Sequence, residues 1–237
     1  MQEALIEICK EKTWVMPAHD RSLSNFKGES INIDLGSSQL AAGIAQALYM
    51  LGDRLDAQTR AMVLENLHRR ILKPFDDMAA ERRKGDWWMR TTNNWNSVCL
   101  ASITCTALAA VESPVERARV ILSAAKYSHN FLNGFTPDGY CSEGVGYWNY
   151  GFGNYTLLVE AVLQATGGKV DLLLRDGAQS AARYGGRIEI TEGVSPAFAD
   201  CGVNSRPSAS LMWYVNRRQS WNEAVRRPSA LSGVGAP

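Results

Sequence analysis

Apolar positions recur at helical spacing along nearly the whole chain. Residues 38–52 set Leu40, Ile44, Leu48 and Leu51 on one stripe, with Gly52 as a natural stop. Residues 57–72 repeat the pattern with Met62, Val63, Leu67 and Ile71, and Pro74 is expected to follow the helix end. A shorter amphipathic stretch, residues 2–13, carries Leu5, Ile8 and Cys9. Residues 95–111 are Ala-rich and apolar on almost every face, which predicts a helix buried on most sides. Ser113 followed by Pro114 is a cap with proline at the first helical position, and the helix it opens is expected to run to about residue 132. A further helix starts near 143 or 152 and stops at Gly167-Gly168; another covers 169–184 and stops at Gly185-Gly186. Only RIEI, residues 187–190, reads as extended. The pattern predicts an all-α fold.

The rhythm of helix, short break and helix suits antiparallel hairpins arranged as a bundle or as a closed ring. Three connections are long and rich in Trp, Asn, Gly and Asp: residues 14–37, 76–94 and 134–151. In a ring of hairpins alternate loops collect at one end, and loops on a rigid scaffold are where binding residues sit.

Composition narrows the picture. Hydrophobic residues make up 46% of the 237, enough for a sizeable core, and no linker divides the chain, so residues 1–237 read as one domain with a Pro/Gly-rich end expected to fray. The formal net charge of +1, from 25 basic and 24 acidic residues, argues against a general nucleic-acid surface. The run Glu81-Arg82-Arg83-Lys84 reads as a solvated helix end, or as a local basic patch. Five widely spaced cysteines without a CxxC do not form a zinc or disulfide framework, and Cys99 and Cys105 read as small core residues. No metal or other cofactor is expected. No apolar run approaches the roughly 20 residues needed to span a membrane. The amphipathic N-terminus is not a leader, so the expected location is the periplasm or outside if a leader precedes it and the cytoplasm otherwise.

Four stretches hold candidate chemistry. DGYCSEGVGYWNYGFGNY, residues 138–155, crowds glycines and aromatics beside a lone acid. If a helix starts near Glu143, then Glu143, Tyr147, Tyr150 and Asn154 share one polar and aromatic face. Aromatic faces match the C–H faces of sugars and glycines let a ligand approach the backbone; equally, the stretch is a packing joint between helices. WWMRTTNNWNS, residues 87–97, surrounds Arg90, Asn93, Asn94 and Asn96 with Trp87, Trp88 and Trp95. One asparagine is expected to cap the following helix, and amides with a guanidinium suit a carboxylate and neutral hydroxyls together. In TWVMPAHD, His19 beside Asp20 is the best functional candidate among three histidines; His68 reads as solvated and His129 as a helix-end or core residue. In FADCGVNSRPSAS, Asp200, Asn204 and Arg206 form a polar loop, where Arg206 either binds an acidic sugar or makes a structural ion pair.

Taken together, EKTWVMPAHD, TTNNWNSVC, DGYCSEGVGYWNYG and PAFADC resemble the helical domain of the heparinase II/III-like polysaccharide lyases, which include oligoalginate lyases. The resemblance runs from the N-terminus to about residue 215, and EGxxYWxYG with NNWN is its most specific part. It implies an incomplete (α/α) toroid of antiparallel helical hairpins, expected to be part of a longer lyase whose C-terminal β-sandwich lies beyond Pro237. It also implies β-elimination on a uronic-acid glycan. Asn94 matches the asparagine that neutralises the sugar carboxylate, Tyr147 the catalytic tyrosine and Tyr150 a substrate-contacting one. Trp95 stands where several members carry a histidine. Trp95, Asn96, Glu143, Arg90, His19 and Arg206 complete the expected substrate-binding set. The partner is then an acidic polysaccharide or oligosaccharide. Two other readings stay open: a non-catalytic glycan-binding module, and a glycoside hydrolase using two carboxylates from Asp20, Asp34, Asp138, Glu143 and Asp200.

Overall fold

A computed structural model of the protein describes residues 1–191 and 193–220. The fold is all-α: among the described residues the only β pairings are two isolated bridges, Phe135 with Cys141 and Thr191 with Val194. The helices are α1 (Gln2–Lys10), α2 (Leu35–Leu51), α3 (Ala57–Leu67), α4 (Lys73–Ala79), α5 (Asn94–Ala110), α6 (Pro114–Tyr127), α7 (His129–Leu132), α8 (Gly144–Ala165), α9 (Ala178–Arg187) and α10 (Ala209–Gln219). No helix among the described residues is long and apolar enough to cross a membrane.

Three long helices carry the architecture. α2 opens on a reciprocal cap, in which the Asp34 carboxylate accepts from the Ser37 amide and the Ser37 hydroxyl accepts from the Asp34 amide; Gly52, at φ +50°, ends it as the sequence predicts. α5 lies between α2 and α8 and packs along both. Its Ala, Ser and Thr residues permit that double contact, and twelve of its residues are buried. α8 buries Trp148, Phe152, Tyr155, Val159 and Val162, one stripe at spacings of four and three. The polar tips on that stripe are satisfied: Trp148 Nε1 donates to the Ala181 carbonyl and Tyr155 Oη to that of Leu172, each at 2.8 Å. Burying an aromatic side chain of this size contributes roughly 2–3 kcal/mol. Gly167 and Gly168, both at positive φ, close the turn after α8.

Departures from the predicted elements have local causes. Pro74 does not follow a helix end. A π turn at His68–Leu72 bridges α3 into α4, with the Lys73 amide on the His68 carbonyl, so the proline falls in the first turn of α4 where its missing N–H is tolerated. The segment from Ser113 breaks at Ser128, where Arg175 takes the Ala125 carbonyl (2.6 Å) and the Ser128 hydroxyl (3.1 Å). Residues 169–184 are not one helix: a 3₁₀ turn at Leu172–Leu174 precedes α9, which continues through Gly185-Gly186. Gly185 is a packing glycine rather than a stop, because a Cβ there would meet the Trp148 ring at 2.6 Å. RIEI forms no strand; it ends α9 and enters the Thr191–Val194 bridge. α10 follows the polar loop, in a stretch where the sequence predicts no element, and is opened by Ser208 accepting from the Leu211 amide. The run at 81–84 follows the end of α4, with Arg82 paired to Asp76 and Asp77. His68 is exposed, as is His129 at the start of α7. The expected frayed end lies outside the described residues.

The three long helices start at a common end. Ser38 of α2 reaches Cys99 of α5, Gln39 of α2 meets Tyr150 of α8, and Ser97 of α5 donates to the Gly151 carbonyl of α8 at 2.8 Å. The long connections are pinned across this end. Trp88, wholly buried, donates from Nε1 to the Ile33 carbonyl at 2.7 Å, and Asp86 accepts from the Ile33 amide at 2.9 Å.

Candidate functional site

The start of α8 divides its aromatics by register. Trp148, Phe152 and Tyr155 go into the core, while Glu143, Tyr147, Tyr150 and Asn154 form a half-buried face at the end where α2 and α5 also begin. Both sequence readings of this stretch therefore describe part of it. Gly151 serves packing: a Cβ there would come within 3.0 Å of the Asn94 Cβ and 3.1 Å of the Phe131 ring. Gly144 holds φ +84° at the first position of α8, against Cys201 and the Phe198 carbonyl.

Asn94, at the first position of α5, packs against this face and is 4% exposed. Its Nδ2 donates to Glu143 Oε1 at 3.3 Å, and its backbone N–H faces the same carboxylate. Glu143 stands at the cap position of α8 without making a side-chain cap bond there. Burial pushes its carboxyl above the ordinary glutamate value; the two Asn94 donors pull it down, and the charge of Asp200 pushes it up again. Tyr147 lies one turn beyond Glu143 and one turn before Gly151. It lines a pocket of ≈ 110 Å³ whose other walls include Glu143, Ser142, Asn93, Phe131 and Phe135. Tyrosine and carboxyl thus open on the same space, with the Asn94 amide directly behind the carboxyl.

The remaining candidates fall around this end in three groups. Trp95 sits between His19 and Trp87, with ring centroids 4.6 and 4.8 Å away. His19 Nδ1 lies 2.6 Å from Asp34 Oδ2, which also accepts from the Met16 amide, so the imidazole is oriented by the cap residue of α2. Tyr150 donates to Gln39 Oε1 at 3.1 Å, and burial raises its phenol above the ordinary value. Arg206 is exposed beside Gly193 and makes no ion pair among the described residues. Its loop is clamped to α8 by Asn149, whose Nδ2 donates to the Arg206 carbonyl at 2.7 Å and whose Oδ1 accepts from the Ser208 amide at 2.8 Å.

One expected contact is corrected by burial, and another lies apart from the Tyr147 pocket. Asn96 is wholly buried, and its Nδ2 donates to the Trp88 and Met89 carbonyls at 3.2 and 3.0 Å; it holds the preceding turn and has no surface for a ligand. Arg90 does not enter the Tyr147 pocket but lines a separate cleft with Trp87 and Tyr127. Asn93, rather than Asn94 or Asn96, is the cap, with Oδ1 accepting from the Trp95 amide. Of the carboxylates, Asp20 and Asp34 are buried and accept backbone amides, and Asp138 is bound to Thr136 in a turn, which leaves Glu143 as the acid in the pocket wall, with Asp200 near enough for its charge to act on it. Gln39, Asn149 and Phe131 were not singled out in the sequence. Asn149 alone carried a signal, lying within the glycine and aromatic run. Against known proteins, no protein-family model matches the chain and no curated protein matches it.

Proposed function

We propose that the protein is a uronate-glycan lyase of the heparinase II/III-like type, acting in the Tyr147 pocket. The observation that carries this reading is the opening of Tyr147 and Glu143 on one pocket, with the Asn94 amide bonded to Glu143 from behind. In β-elimination the C5–H bond of the uronate breaks, its electron pair forms the C4–C5 double bond, and the C4–O bond to the leaving sugar breaks. Tyr147, entering the step as the phenolate, takes the C5 proton and gives it to the departing oxygen, which restores the phenolate. Charge developing on the sugar carboxylate has to be met by donors. Burial shifts the Glu143 carboxyl toward its proton-bearing, donating form, and Asn94 holds it through Oε1. The common starting end of α2, α5 and α8, with α3–α4 and α6 as intervening return helices, supports an incomplete (α/α) toroid whose cleft lies at that end.

The test is incubation with alginate, hyaluronan and chondroitin sulfate, reading the near-ultraviolet absorbance of the unsaturated product. Tyr147→Phe is expected to lower that rate at least about 100-fold, the usual weight of a positioned acid–base group. Products with only saturated ends would remove the lyase assignment. The hydrolase reading is supported by one observation, the charge of Asp200 acting on the half-buried Glu143 carboxyl, since glycoside hydrolysis uses two carboxyl groups. A hydrolase would lose turnover in Asp200→Asn and retain most of it in Tyr147→Phe.

A further inference from the structure

A second cleft lies on the same seam as the Tyr147 pocket. The segment 86–93 runs beside the end of α6 and the short α7. Thr92 and Asn93 share the first pocket with Phe131, whereas Met89 and Arg90 share the second cleft with Tyr127. Tyr127 and Phe131 are one helical turn apart, and the Asn130 amide ties the Met89 carbonyl to the same stretch at 3.0 Å. Residues 90 and 93 are separated by at most about 10 Å of extended backbone. The two openings are therefore consecutive along one seam.

The second cleft is the larger, at ≈ 520 Å³. Trp87, 58% exposed, forms one wall of it and leans on Trp95, the residue next to Asn94. The charges in the cleft do not cancel. Arg83 is engaged by Asp86 (3.7 Å) and the Ile31 carbonyl (2.8 Å), and Asp86 is held in turn by Asn32 and the Ile33 amide. That leaves Glu81 against Arg90 and Lys84, two exposed cations that make no hydrogen bond or ion pair among the described residues. An exposed tryptophan face beside two unengaged cations matches a sugar ring that bears an anionic group.

We propose that this cleft is a second subsite for an anionic sugar residue, so that an acidic glycan seated in the Tyr147 pocket continues along segment 86–93 and sets its next charged group on Arg90 and Lys84, with a ring face on Trp87. The proposal rests on the glycan assignment of the first pocket and adds the direction and charge of the chain that occupies it.

Calorimetric titration of the intact protein with di- and hexasaccharides from alginate, hyaluronan and chondroitin sulfate tests it, with cellohexaose as the neutral chain. In at least one acidic series the hexasaccharide is expected to bind at least tenfold tighter than the disaccharide. Arg90→Ala combined with Lys84→Ala should remove most of that gap, and Trp87→Ala should lower hexasaccharide affinity about fivefold, while both leave the disaccharide unchanged. Lys169→Ala, on the turn after α8, should change neither. The proposal is overturned if the gap survives loss of both cations, if hexasaccharide and disaccharide bind alike, if cellohexaose binds as tightly, or if no acidic series binds. Tyr147→Phe separates the two claims: it abolishes product formation and leaves the hexasaccharide gap in place.

Discussion

Glu143 is the half-buried acid in the wall of the Tyr147 pocket, and its ionisation couples to folding. Burial raises its carboxyl above the ordinary glutamate value in the folded state. The folded protein therefore holds that proton to higher pH than the unfolded chain does. Stability from this group is fully present below the ordinary glutamate value and is lost as pH rises through the raised one. Glu143→Gln cannot ionise, yet keeps an oxygen to accept from Asn94. The variant is expected to melt close to the parent at pH 4 and above it at pH 7; a variant that melts lower at pH 7 would show the carboxylate to be net stabilised by Asn94. The shared face of Glu143, Tyr147 and Tyr150 was legible in the sequence because helical spacing is local. The bond from Asn94 was not, because it joins residues 49 positions apart. Three neighbouring asparagines of one type were separated only by register: Asn93 caps, Asn94 turns toward α8, and Asn96, two residues further round the helix, is taken inward by the Trp88 and Met89 carbonyls.

At the scale of elements, α8 shows how one glycine-rich sequence carries two functions. Gly151 is needed for the approach of α5 and Phe131, whereas a Cβ on Gly153 would meet nothing within 4 Å. Alanine in a helix is favoured over glycine by about 1 kcal/mol, and overpacking a tight contact costs about 1–3 kcal/mol. Gly153→Ala is accordingly expected to stabilise by up to about 1 kcal/mol in urea unfolding. Gly151→Ala should destabilise by up to about 2 kcal/mol and widen the contact that seats Asn94. Equal effects of the two substitutions would contradict the close packing of α5 on α8. The same distinction explains where elements were misread. Glycine pairs look alike in sequence, but Gly167-Gly168 takes positive φ and turns the chain, while Gly185 makes room for Trp148 inside α9. α10 was missed because it buries only Leu211, Val215 and Asn216, too few positions to write a stripe.

In the molecule as a whole, the candidate site is assembled from segments that meet only after the core has formed. The 92–94 segment, Phe131, the start of α8 and the loop bearing Asp200 and Arg206 converge at the end where α2, α5 and α8 begin. The all-α class was legible because the core stripes are periodic; the convergence was not, because it depends on single polar clamps between distant segments. Asn149 is one such clamp. It faces the 193–208 loop rather than the core, and it gives one donor and one acceptor to that loop's backbone. Asn149→Ala leaves the Ser208 amide and the Arg206 carbonyl without those partners, a loss of about 1–3 kcal/mol borne by the loop and not by the α5–α8 core. Hydrogen exchange should report this directly. The Ser208 amide, bonded to Asn149 Oδ1 at 2.8 Å, is expected to exchange at least about fivefold faster in the variant, with the amides of α5 unchanged. If exchange rises equally in α5, then Asn149 supports the global fold. If it rises nowhere, the loop is held without this clamp by its other contacts, Phe198 stacked on Tyr140 and Cys201 against Gly144.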